Sequence, residues 1–561
     1  MAAEHGARAR LLDGLVLVGA FALAAAAATA SSRAIGPTFD ETTYVAEGLA
    51  VFRTGSHAGL MKLGTMPLPV DVATAPLSLA ERLGGAAFDP REDLDVLLPL
   101  ARAGALPFLA LLLVNGMRLA RRIGGDAAGR LAVLLLAAEP ALLAHASLAT
   151  TDVAVTALLL GQLEAFLAGR GAPLGRRVLV PGLWAAAALA AKASAVAFGP
   201  LLLLAAELHR LRAEGRLPLR REALAALRPF ARDLAAIAGV ALLGAVLYCG
   251  SDFRPEKSFV AWAVQQEGPA GPALRAVASG LRVFPNALEG IARQLKHNVL
   301  GHGVYLLGSS RPRAVPWYFP AALLLKLTPA VLLGLAALLA LRPRALASPA
   351  GFAALALLSF SFAFRVQIGV RLVLPLVALL LVALAAGGAS AVREAGRRRA
   401  AVGAVVLLVP LAAAASSARA LPDTLLYTNP LGGGTERGYR ALSDSNYDWG
   451  QGLPALRAFC AARRLEGIDV WYFGTDPAIE RPPFRRVDLL QPPRASLAEV
   501  AASLHGDLLA VGTTLAFGAY VPEPLPPWLV ALRARPPAAH ASTFLVWDLS
   551  AERRGAAPAA R

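Results

Sequence analysis

The sequence predicts a polytopic α-helical membrane protein with a small α/β domain at its C-terminal end. Of the 561 residues, 56% are hydrophobic and 17% are charged, and the mean hydropathy is +0.55. Soluble domains carry about 25% charged residues. The prediction depends on three observations: long apolar runs, basic segments between them, and a change of composition near residue 419.

Apolar runs that could cross a bilayer recur from the N-terminus to about residue 418. A spanning helix needs about 20 apolar residues, and the runs predict about eleven spans, three of them short. The first run could mimic a signal peptide, but because many runs follow it, we interpret it as a retained signal-anchor. The runs lie near 11–31, 97–118, 130–146, 152–168, 178–192, 194–208, 233–250, 317–341, 350–364, 372–391 and 400–418.

Basic residues are concentrated in the segments that connect these runs, and such segments favour the cytoplasmic side of a membrane. All of them fall on that side if the N-terminus is cytoplasmic. This pattern explains the net charge of +17 better than nucleic-acid binding does, so no nucleic-acid partner is expected. The basic segments are Arg118 to Arg130, Arg170 to Arg177, Arg210 to Arg232, Arg342 with Arg344, and Arg393 to Arg399.

The same topology leaves three segments outside the membrane. Residues 32–96 contain short amphipathic pieces and are expected to lie along the membrane surface. Residues 251–316 are rich in Gly, Pro and aromatic residues. We divide the chain into a membrane module, 1–418, and an extracytoplasmic α/β domain, 419–561. The domain prediction rests on a helix-like stretch at 452–464 and strand-like stretches at 468–473, 508–511 and 543–547.

Two carboxylate positions are candidates for chemistry. Asp40 and Glu41 follow the first run, where an acid is costly and therefore suggests function; a partly desolvated carboxylate there could act as a general base. Asp152 opens the fourth run and is expected to face the same side, as a base or a metal site would require. For both positions the alternative is a helix N-cap, with Thr38 and Asp40 starting a surface helix and Thr151 preceding Asp152.

Several cations lie in or beside apolar runs: Lys192, Lys326, Arg365 and Arg371. Buried cations need anionic partners, and phosphate is a natural partner for an arginine fork. The alternative is that these side chains extend along helix ends to reach water. Acids and cations on one face suggest a phosphate-bearing lipid substrate handled next to a catalytic carboxylate.

The chain contains an ordered series of motifs. They are Asp40-Glu41 with Tyr44, Asp152, Gly301 to Gly308 (with His302 and Tyr305), Tyr318 to Pro320, Lys326 to Pro329, Ile368 to Pro375 and Ser443 to Gln451. This series, which covers residues from about 38 to 475, resembles that of bacterial members of glycosyltransferase family 39, of the GT-C fold. The group includes protein O-mannosyltransferases and aminoarabinose transferases. One departure concerns a His-Pro-Pro-Leu or Lys-Pro-Pro-Leu stretch, for which the nearest match is 64–69 with Lys62 just before it.

The resemblance implies an inverting glycosyltransferase on the outer side of the bacterial inner membrane. Its donor would be a sugar on polyprenyl phosphate, and Asp40 would deprotonate an acceptor hydroxyl, with Asp152 and Glu41 as further catalytic candidates. A divalent cation is possible, held by Asp40 and Asp152. Candidate contacts to the lipid phosphate are Arg371, Lys192, Lys326, Lys62 and Arg365. Candidate contacts to the acceptor or sugar are Tyr44, His302, Tyr305, Asp444, Asn446, Asp448 and Gln451.

Alternatives from other classes stay open at this point. A transporter or flippase of a phosphate-bearing lipid would also need many spans and cations, but its acids are expected near the midplane. A structural assembly protein with a degenerate site is a third possibility. The aromatic residues of 305–319 could form no more than an interface belt, and Asn446 and Asp448 could only cap the following helix. The sequence does not identify the sugar or the acceptor.

Overall fold

A computed structural model describes residues 2–215, 221–253, 255, 257–280, 286–521 and 523–556. Parts of three predicted segments lie outside the described residues. These are 216–220 in the basic segment 210–232, then 254, 256 and 281–285 in 251–316, and finally 522 and 557–561 in the C-terminal domain.

Helices dominate the chain as far as residue 420. The first set is α1 (Ala2–Ala34), α2 (Glu41–Thr54), α3 (Ala58–Leu63), α4 (Leu68–Gly84), α5 (Leu94–Gly124), α6 (Asp126–Ala138), α7 (Pro140–Ala146), α8 (Asp152–Gly169), α9 (Val180–Ala191), α10 (Ala195–Ala213) and α11 (Arg221–Cys249). The second set is α12 (Lys257–Val264), α13 (Gly271–Gly280), α14 (Asn286–Leu300), α15 (Tyr318–Lys326), α16 (Pro329–Leu341), α17 (Pro343–Leu346), α18 (Pro349–Ser361), α19 (Leu374–Glu394) and α20 (Arg399–Ala420).

Within the described residues, six helices are long and apolar enough to cross a membrane. They are α1, α5, α8, α11, α19 and α20, and two bent pairs, α6 with α7 and α15 with α16, would raise the number to eight. All eleven predicted runs are helical, but α9, α10 and α18 do not reach this length and hydropathy. A multi-pass helical membrane protein is confirmed, whereas the number eleven is not.

Burial separates a central pair of helices from a peripheral pair. The apolar windows of α8 and α19 are 89% buried, whereas those of α1 and α20 are 17% buried. A helix that is apolar on all sides is stable inside a bundle, and one that is exposed and apolar suits contact with lipid. The core therefore forms around α8 and α19, and these two helices present their N-terminal ends to the candidate site.

The two bent pairs meet at their breaks. Pro140 ends α6 and Pro329 separates α15 from α16, because proline cannot donate the helical hydrogen bond. Glu139, at the first break, is buried and accepts hydrogen bonds from the Thr328 backbone N–H at 3.1 Å and the Thr328 hydroxyl at 3.0 Å. The Glu139 carboxylate at one break thus satisfies the Thr328 backbone N–H that the other break leaves without a helical partner.

Seven short strands and six further helices complete the described chain. The strands are β1 (Val304–Leu306), β2 (Ser309–Arg311), β3 (Ile468–Trp471), β4 (Phe484–Arg486), β5 (Leu508–Gly512), β6 (Ala539–Ala541) and β7 (Phe544–Asp548). The helices are α21 (Gly434–Arg437), α22 (Leu453–Ala462), α23 (Leu497–Ser503), α24 (Thr513–Phe517), α25 (Pro527–Arg533) and α26 (Ser550–Ala556). The strands β1 and β2 form a hairpin in the membrane module.

The C-terminal domain is built on a five-stranded mixed sheet of order β4-β3-β5-β7-β6, in which β4, β3 and β5 are parallel and β7 is antiparallel to both neighbours. The predicted strands correspond to β3, β5 and β7, and the predicted helix to α22. The short edge strands β4 and β6 carried no clear pattern in the sequence.

A buried ion pair fixes the segment 32–96 to the membrane helices. Arg102 of α5 donates from Nε and Nη2 to the two carboxylate oxygens of Glu41, at 2.9 and 2.7 Å. Its remaining hydrogen bonds reach the carbonyl oxygens of Ser32, Ile35 and Gly36 at 2.7 to 3.1 Å. All five donors of the guanidinium are therefore used, as burial of such a group requires.

Loss of this pair should unfold the protein more easily. Arg102→Met leaves the Glu41 carboxylate buried without its partner, and we expect the free energy of unfolding to fall by about 3–5 kcal/mol. The measurement is the midpoint of SDS-induced unfolding in mixed micelles. Adding Glu41→Gln should recover part of the loss.

Arg481→Met is the matched control, because Arg481 pairs with Glu92 at 2.8 Å on the surface. Exposed pairs contribute about 0–1 kcal/mol. A loss below about 1 kcal/mol for Arg102→Met would contradict the assignment of the Glu41 pair as a structural anchor.

Candidate functional site

A cavity of about 750 Å³ lies between the membrane helices, α14 and the C-terminal domain. Its walls combine aromatic and aliphatic side chains with charged groups, the composition that suits an amphipathic ligand. The cations among its described lining residues are Lys62, Lys192, Arg293, Lys296 and Arg371, and the acids are Asp40 and Asp444. The cavity is therefore positively charged.

Arg371 lies at the centre of the charged groups. Its Nη1 donates to Asp40 Oδ2 at 3.0 Å, and its Nε donates to Ser445 Oγ at 3.0 Å. The guanidinium carbon lies 4.0 Å from the Trp449 ring centroid, a cation–π contact. A Cβ on Gly369 would overlap Ser445 Oγ, so only glycine lets the two segments approach this closely. Contacts on three sides hold the guanidinium in one orientation.

Asp152 approaches Arg371 from the side of α8. Lys192 Nζ donates to Asp152 Oδ1 at 2.5 Å, and Asp152 Oδ2 lies 3.9 Å from Arg371 Nη1. Asp152 is 0% exposed and does not itself line the cavity, unlike Thr151 and Lys192. The two carboxylates thus converge on Arg371, Asp40 at the cavity surface and Asp152 behind it.

Neither acid serves as a helix cap. Asp40 occupies the N-cap position of α2, but its side chain makes no capping hydrogen bond. Asp152 is the first residue of α8, and Thr151 also makes no side-chain cap. Both carboxylates instead bind cations, so the helix-cap alternative does not describe either side chain.

Tyr44 follows Asp40 by one helical turn and lines the cavity. Its hydroxyl accepts a hydrogen bond from Thr65 Oγ1 at 3.5 Å. Burial raises the pKa of Tyr44, and the neighbouring Asp40 charge raises it further. The phenol therefore stays protonated and can donate a hydrogen bond into the cavity.

The segment Ser443 to Gln451 joins the C-terminal domain to the membrane module, mostly through buried contacts. Asn446 accepts from the Val370 backbone N–H at 3.0 Å and donates to the Tyr318 hydroxyl at 2.9 Å. Asp448 accepts from the backbone N–H of Thr514 at 2.9 Å. These contacts give the motif a structural role: it fixes the position from which Trp449 reaches Arg371.

Among the four polar residues predicted from this motif, Asp444 lines the cavity, whereas Asn446, Asp448 and Gln451 lie beneath it. Asp444 accepts a hydrogen bond from the Tyr520 hydroxyl. Burial raises the pKa of Asp444, although the Tyr520 hydrogen bond lowers it. Asp444 thus offers the cavity a carboxyl group held by the domain.

Four other predicted site residues are absent from the described cavity lining. Glu41 is occupied by Arg102; burial alone would raise its pKa, but the Arg102 charge holds the pKa below the usual range. Lys326 donates to three carbonyl oxygens, those of Leu425, Tyr427 and Asn446. Two more donate to backbone oxygens: Tyr305 to Arg440 at 2.9 Å, and Arg365 to Val299 at 3.1 Å.

The predicted residues that do meet at the cavity are Asp40, Tyr44, Lys62, Lys192, His302, Arg371 and Asp444. Sequence reasoning missed Trp449, although it stands inside a quoted motif. It also missed the polar face of α14, with Arg293, Lys296 and His297, which the alternation of charged and apolar residues could have indicated.

Two histidines lie side by side at the cavity, with the His297 and His302 ring centroids 4.8 Å apart. Burial lowers the pKa of His297, and the neighbouring His302 and Arg371 lower it further.

The part of the chain that the structure describes contains no group of three or more His, Cys, Asp or Glu residues arranged to hold a metal ion. Asp40 and Asp152 are each engaged by an Arg or Lys side chain, which does not fit a divalent cation between them.

No family model matches the sequence, and no curated protein matches it. The chain is similar to the crystal structure of ArnT from Cupriavidus metallidurans bound to undecaprenyl phosphate, with 14% identity, a TM-score of 0.45, and coverage of 94% of this chain and 97% of that chain. It is similar to the Archaeoglobus fulgidus oligosaccharyltransferase in complex with Zn and sulfate, with 13% identity, a TM-score of 0.42, and coverage of 90% and 68%. It is also similar to AglB from Archaeoglobus fulgidus in complex with an inhibitory peptide and a dolichol-phosphate, with 13% identity, a TM-score of 0.43, and coverage of 88% and 69%. Similarities at this level of identity and TM-score do not assign an activity.

Asp448 should make stability depend on pH. Burial raises the pKa of its carboxyl to about 6, against the hydrogen bonds from Thr514 and Gly450. A raised pKa means that the folded state binds the proton more tightly, so the stabilisation is complete below about pH 4 and is lost as the pH rises through 6. Between pH 4 and pH 7.5 the free energy of unfolding of the wild type should fall by about 2 kcal/mol more than that of Asp448→Asn. Unfolding midpoints at both pH values measure this difference, and parallel pH dependence in the two proteins would contradict it.

Proposed function

We propose that the protein transfers a sugar from a polyprenyl-phosphate donor to an acceptor hydroxyl, with inversion at the anomeric carbon. The observation that carries the proposal is the contact between Asp40 and Arg371 at the wall of an amphipathic, positively charged cavity. The motif series that resembles glycosyltransferase family 39 and its GT-C fold supports the same class of reaction.

The cations of the cavity suit a phosphate leaving group. Negative charge develops on the phosphate as the bond to the sugar breaks. A cationic side chain that is already fixed in position stabilises that charge without having to reorganise. Arg371 is held by Ser445 and Trp449, and Lys192 by Asp152. The apolar part of the lining suits an isoprenoid chain, through Phe198, Phe360, Phe364 and Leu372.

Asp40 is the general base of the proposed mechanism. Its side chain is 24% exposed, and Arg371 binds only Oδ2, which leaves Oδ1 to take a proton. The acceptor O–H proton moves to Asp40 as the acceptor oxygen forms a bond to the anomeric carbon. The bond from that carbon to the phosphate oxygen breaks on the opposite face, and the lipid phosphate leaves with the electron pair.

Asp152 is a positioning residue in this scheme, because it is buried behind the two cations. It holds Lys192 at 2.5 Å and lies 3.9 Å from Arg371. Its unpaired Oδ2, which has no hydrogen-bond partner among the described residues, attracts the Arg371 guanidinium toward α8. No step of the mechanism passes through a metal ion.

We place the cavity on the outer side of a bacterial inner membrane, with the N-terminus in the cytoplasm. The first half of α1 supports this orientation, because Asp13 pairs with Arg121 at 2.6 Å and Arg130 at 2.8 Å in a basic connecting segment. Just beyond the other end of α1, the Gly36 backbone N–H donates to the Gln451 carbonyl, next to the cavity. Asp13 and the C-terminal end of α1 at Ala34 are 21 residues apart, about 32 Å along the helix, so the basic segment and the cavity lie on opposite sides of a bilayer core.

Removal of the base should slow transfer strongly. We expect Asp40→Asn to lower the transfer rate about 10²–10⁴-fold, the usual contribution of a general base. The measurement uses purified protein in proteoliposomes with radiolabelled polyprenyl-phosphate sugars, and follows loss of label from the lipid. Glu92→Gln, in an exposed carboxylate of the same segment 32–96, is the control and should transfer at the wild-type rate.

Two outcomes would overturn the proposal. Transfer that survives Asp40→Asn at more than about a tenth of the wild-type rate would exclude Asp40 as the base. Movement of labelled lipid between leaflets with no loss of label from the lipid, at wild-type Asp40, would instead indicate a flippase.

The planar guanidinium of Arg371 should contribute more to sugar transfer than its positive charge alone. Arg371→Lys keeps one positive charge but loses the planar fork that reaches Asp40 and Ser445 and the stacking on Trp449. We expect kcat/KM for the donor to fall at least about tenfold, measured from the donor dependence of the same assay. Arg365→Lys is the control, since Arg365 is not among the described lining residues, and an equal effect in both variants would contradict the role of Arg371.

A further inference from the structure

A second cavity, of about 480 Å³, lies at the opposite end of the helix bundle. Three helices, α8, α10 and α19, extend from the first cavity to the second. Near their N-terminal ends Thr151, Ser194 and Arg371 line the first cavity, and near their C-terminal ends Leu167 and His209, with Arg393 of α19, line the second. Helices of 18 to 21 residues span about 30 Å. The second cavity is therefore separate from the site described above.

Three arginines give this second cavity its charge: Arg122, Arg344 and Arg393. Its described lining residues include no Asp or Glu. Glu164 partly compensates Arg122, at 2.8 Å, but the same carboxylate also faces Arg118 at 3.4 Å. Arg344 forms no ion pair within the described part of the chain, so the cavity keeps a positive charge.

A helix N-terminus adds to this charge. Ser348 lines the cavity and caps α18, since its Oγ accepts from the Gly351 backbone N–H at 3.1 Å. A hydroxyl that accepts one hydrogen bond can still donate its own hydrogen. Pro349 has no N–H and the Gly351 N–H is bound by Ser348, so this end of the 13-residue helix α18 attracts an anion through the helix dipole.

The walls of the second cavity are held in place by the bundle. Arg393 Nη1 donates to the Gly124 carbonyl, which fixes the end of α19 to the turn after α5. The His209 ring contacts Phe352 of α18 and its Nε2 donates to the Ala347 carbonyl at 3.0 Å. Arg393 and His209 thus hold the helix ends around this cavity in fixed positions.

We propose that this second cavity binds the phosphate headgroup of an anionic phospholipid. Apolar side chains, Ile123 and Leu167, line it together with the arginines, at the ends of α5 and α8. Basic pockets between membrane helices on the positively charged side recognise such headgroups. The combination of cations, helix N-terminus and apolar wall suits a lipid phosphate better than a freely soluble anion. The proposal does not depend on the activity of the first cavity.

The test uses the purified full chain after removal of bound lipid in detergent. Native mass spectrometry measures the affinity for phosphatidylglycerol, with phosphatidylcholine and inorganic phosphate as separate arms. We expect phosphatidylglycerol to bind at least about tenfold more tightly than phosphatidylcholine. Arg344→Gln should weaken phosphatidylglycerol about fivefold, the change expected for one cation near an anionic headgroup.

Arg397→Gln is the matched control, because Arg397 is exposed on the turn between α19 and α20 and is absent from the described lining. It removes the same charge from the same end of the bundle and should weaken phosphatidylglycerol less than about twofold. Equal weakening by both variants would show diffuse surface charge and overturn the proposal.

Competition by inorganic phosphate at the concentration that phosphatidylglycerol needs would also overturn it, because the site would then take a soluble anion. Arg344 is exposed, so Arg344→Gln should fold. If size-exclusion chromatography shows that it does not, Arg393→Gln tests the same cavity with the same expected loss.

Discussion

The arrangement of the candidate site depends on one cation, Arg371, whose side chain is only 10% exposed. A guanidinium in the interior is stable only when its charge is balanced and its donors are used. Asp40, Ser445 and Trp449 meet that requirement from three separate parts of the chain, and Asp152 adds its charge from behind. The contacts of Arg371 therefore hold three parts of the chain at the N-terminal end of the core helix α19. These parts are the segment after α1, the start of α8 and the C-terminal domain.

The C-terminal domain is part of the cavity rather than an appendage to it. Lys326 extends from the break between α15 and α16 to carbonyl oxygens of the chain that leads into the domain. Asn446 bonds back to the membrane module at Val370 and Tyr318. With the domain fixed in this way, Asp444 and Trp449 reach the same space as Asp40. The motif Ser443 to Gln451 is thus explained mainly by docking.

Much of the architecture could be predicted because a chain inside a lipid bilayer must satisfy its backbone hydrogen bonds internally. Apolar runs must become helices in a bilayer, and every predicted run did. The convergence of Asp40, Asp152, Lys192 and Arg371 was also expected. Glu41 shows what could not be predicted, because both it and Asp40 are acids directly after the first apolar run and the sequence does not distinguish them. Its partner, Arg102, is an isolated cation inside an apolar run, and only the fold pairs the two.

Local composition and periodicity are enough to predict the helical membrane class, the positions of the apolar runs, the C-terminal α/β domain and the set of charged residues that includes the site. The packing of the helices then sets which charges face the cavity and which hold the fold together. Asp40 and Arg371 are 331 residues apart in the chain, and local patterns carry no information on contacts at that separation. Burial and pairing, which distinguish Asp40 from Glu41 and Arg371 from Lys326, exist only once the helices have packed.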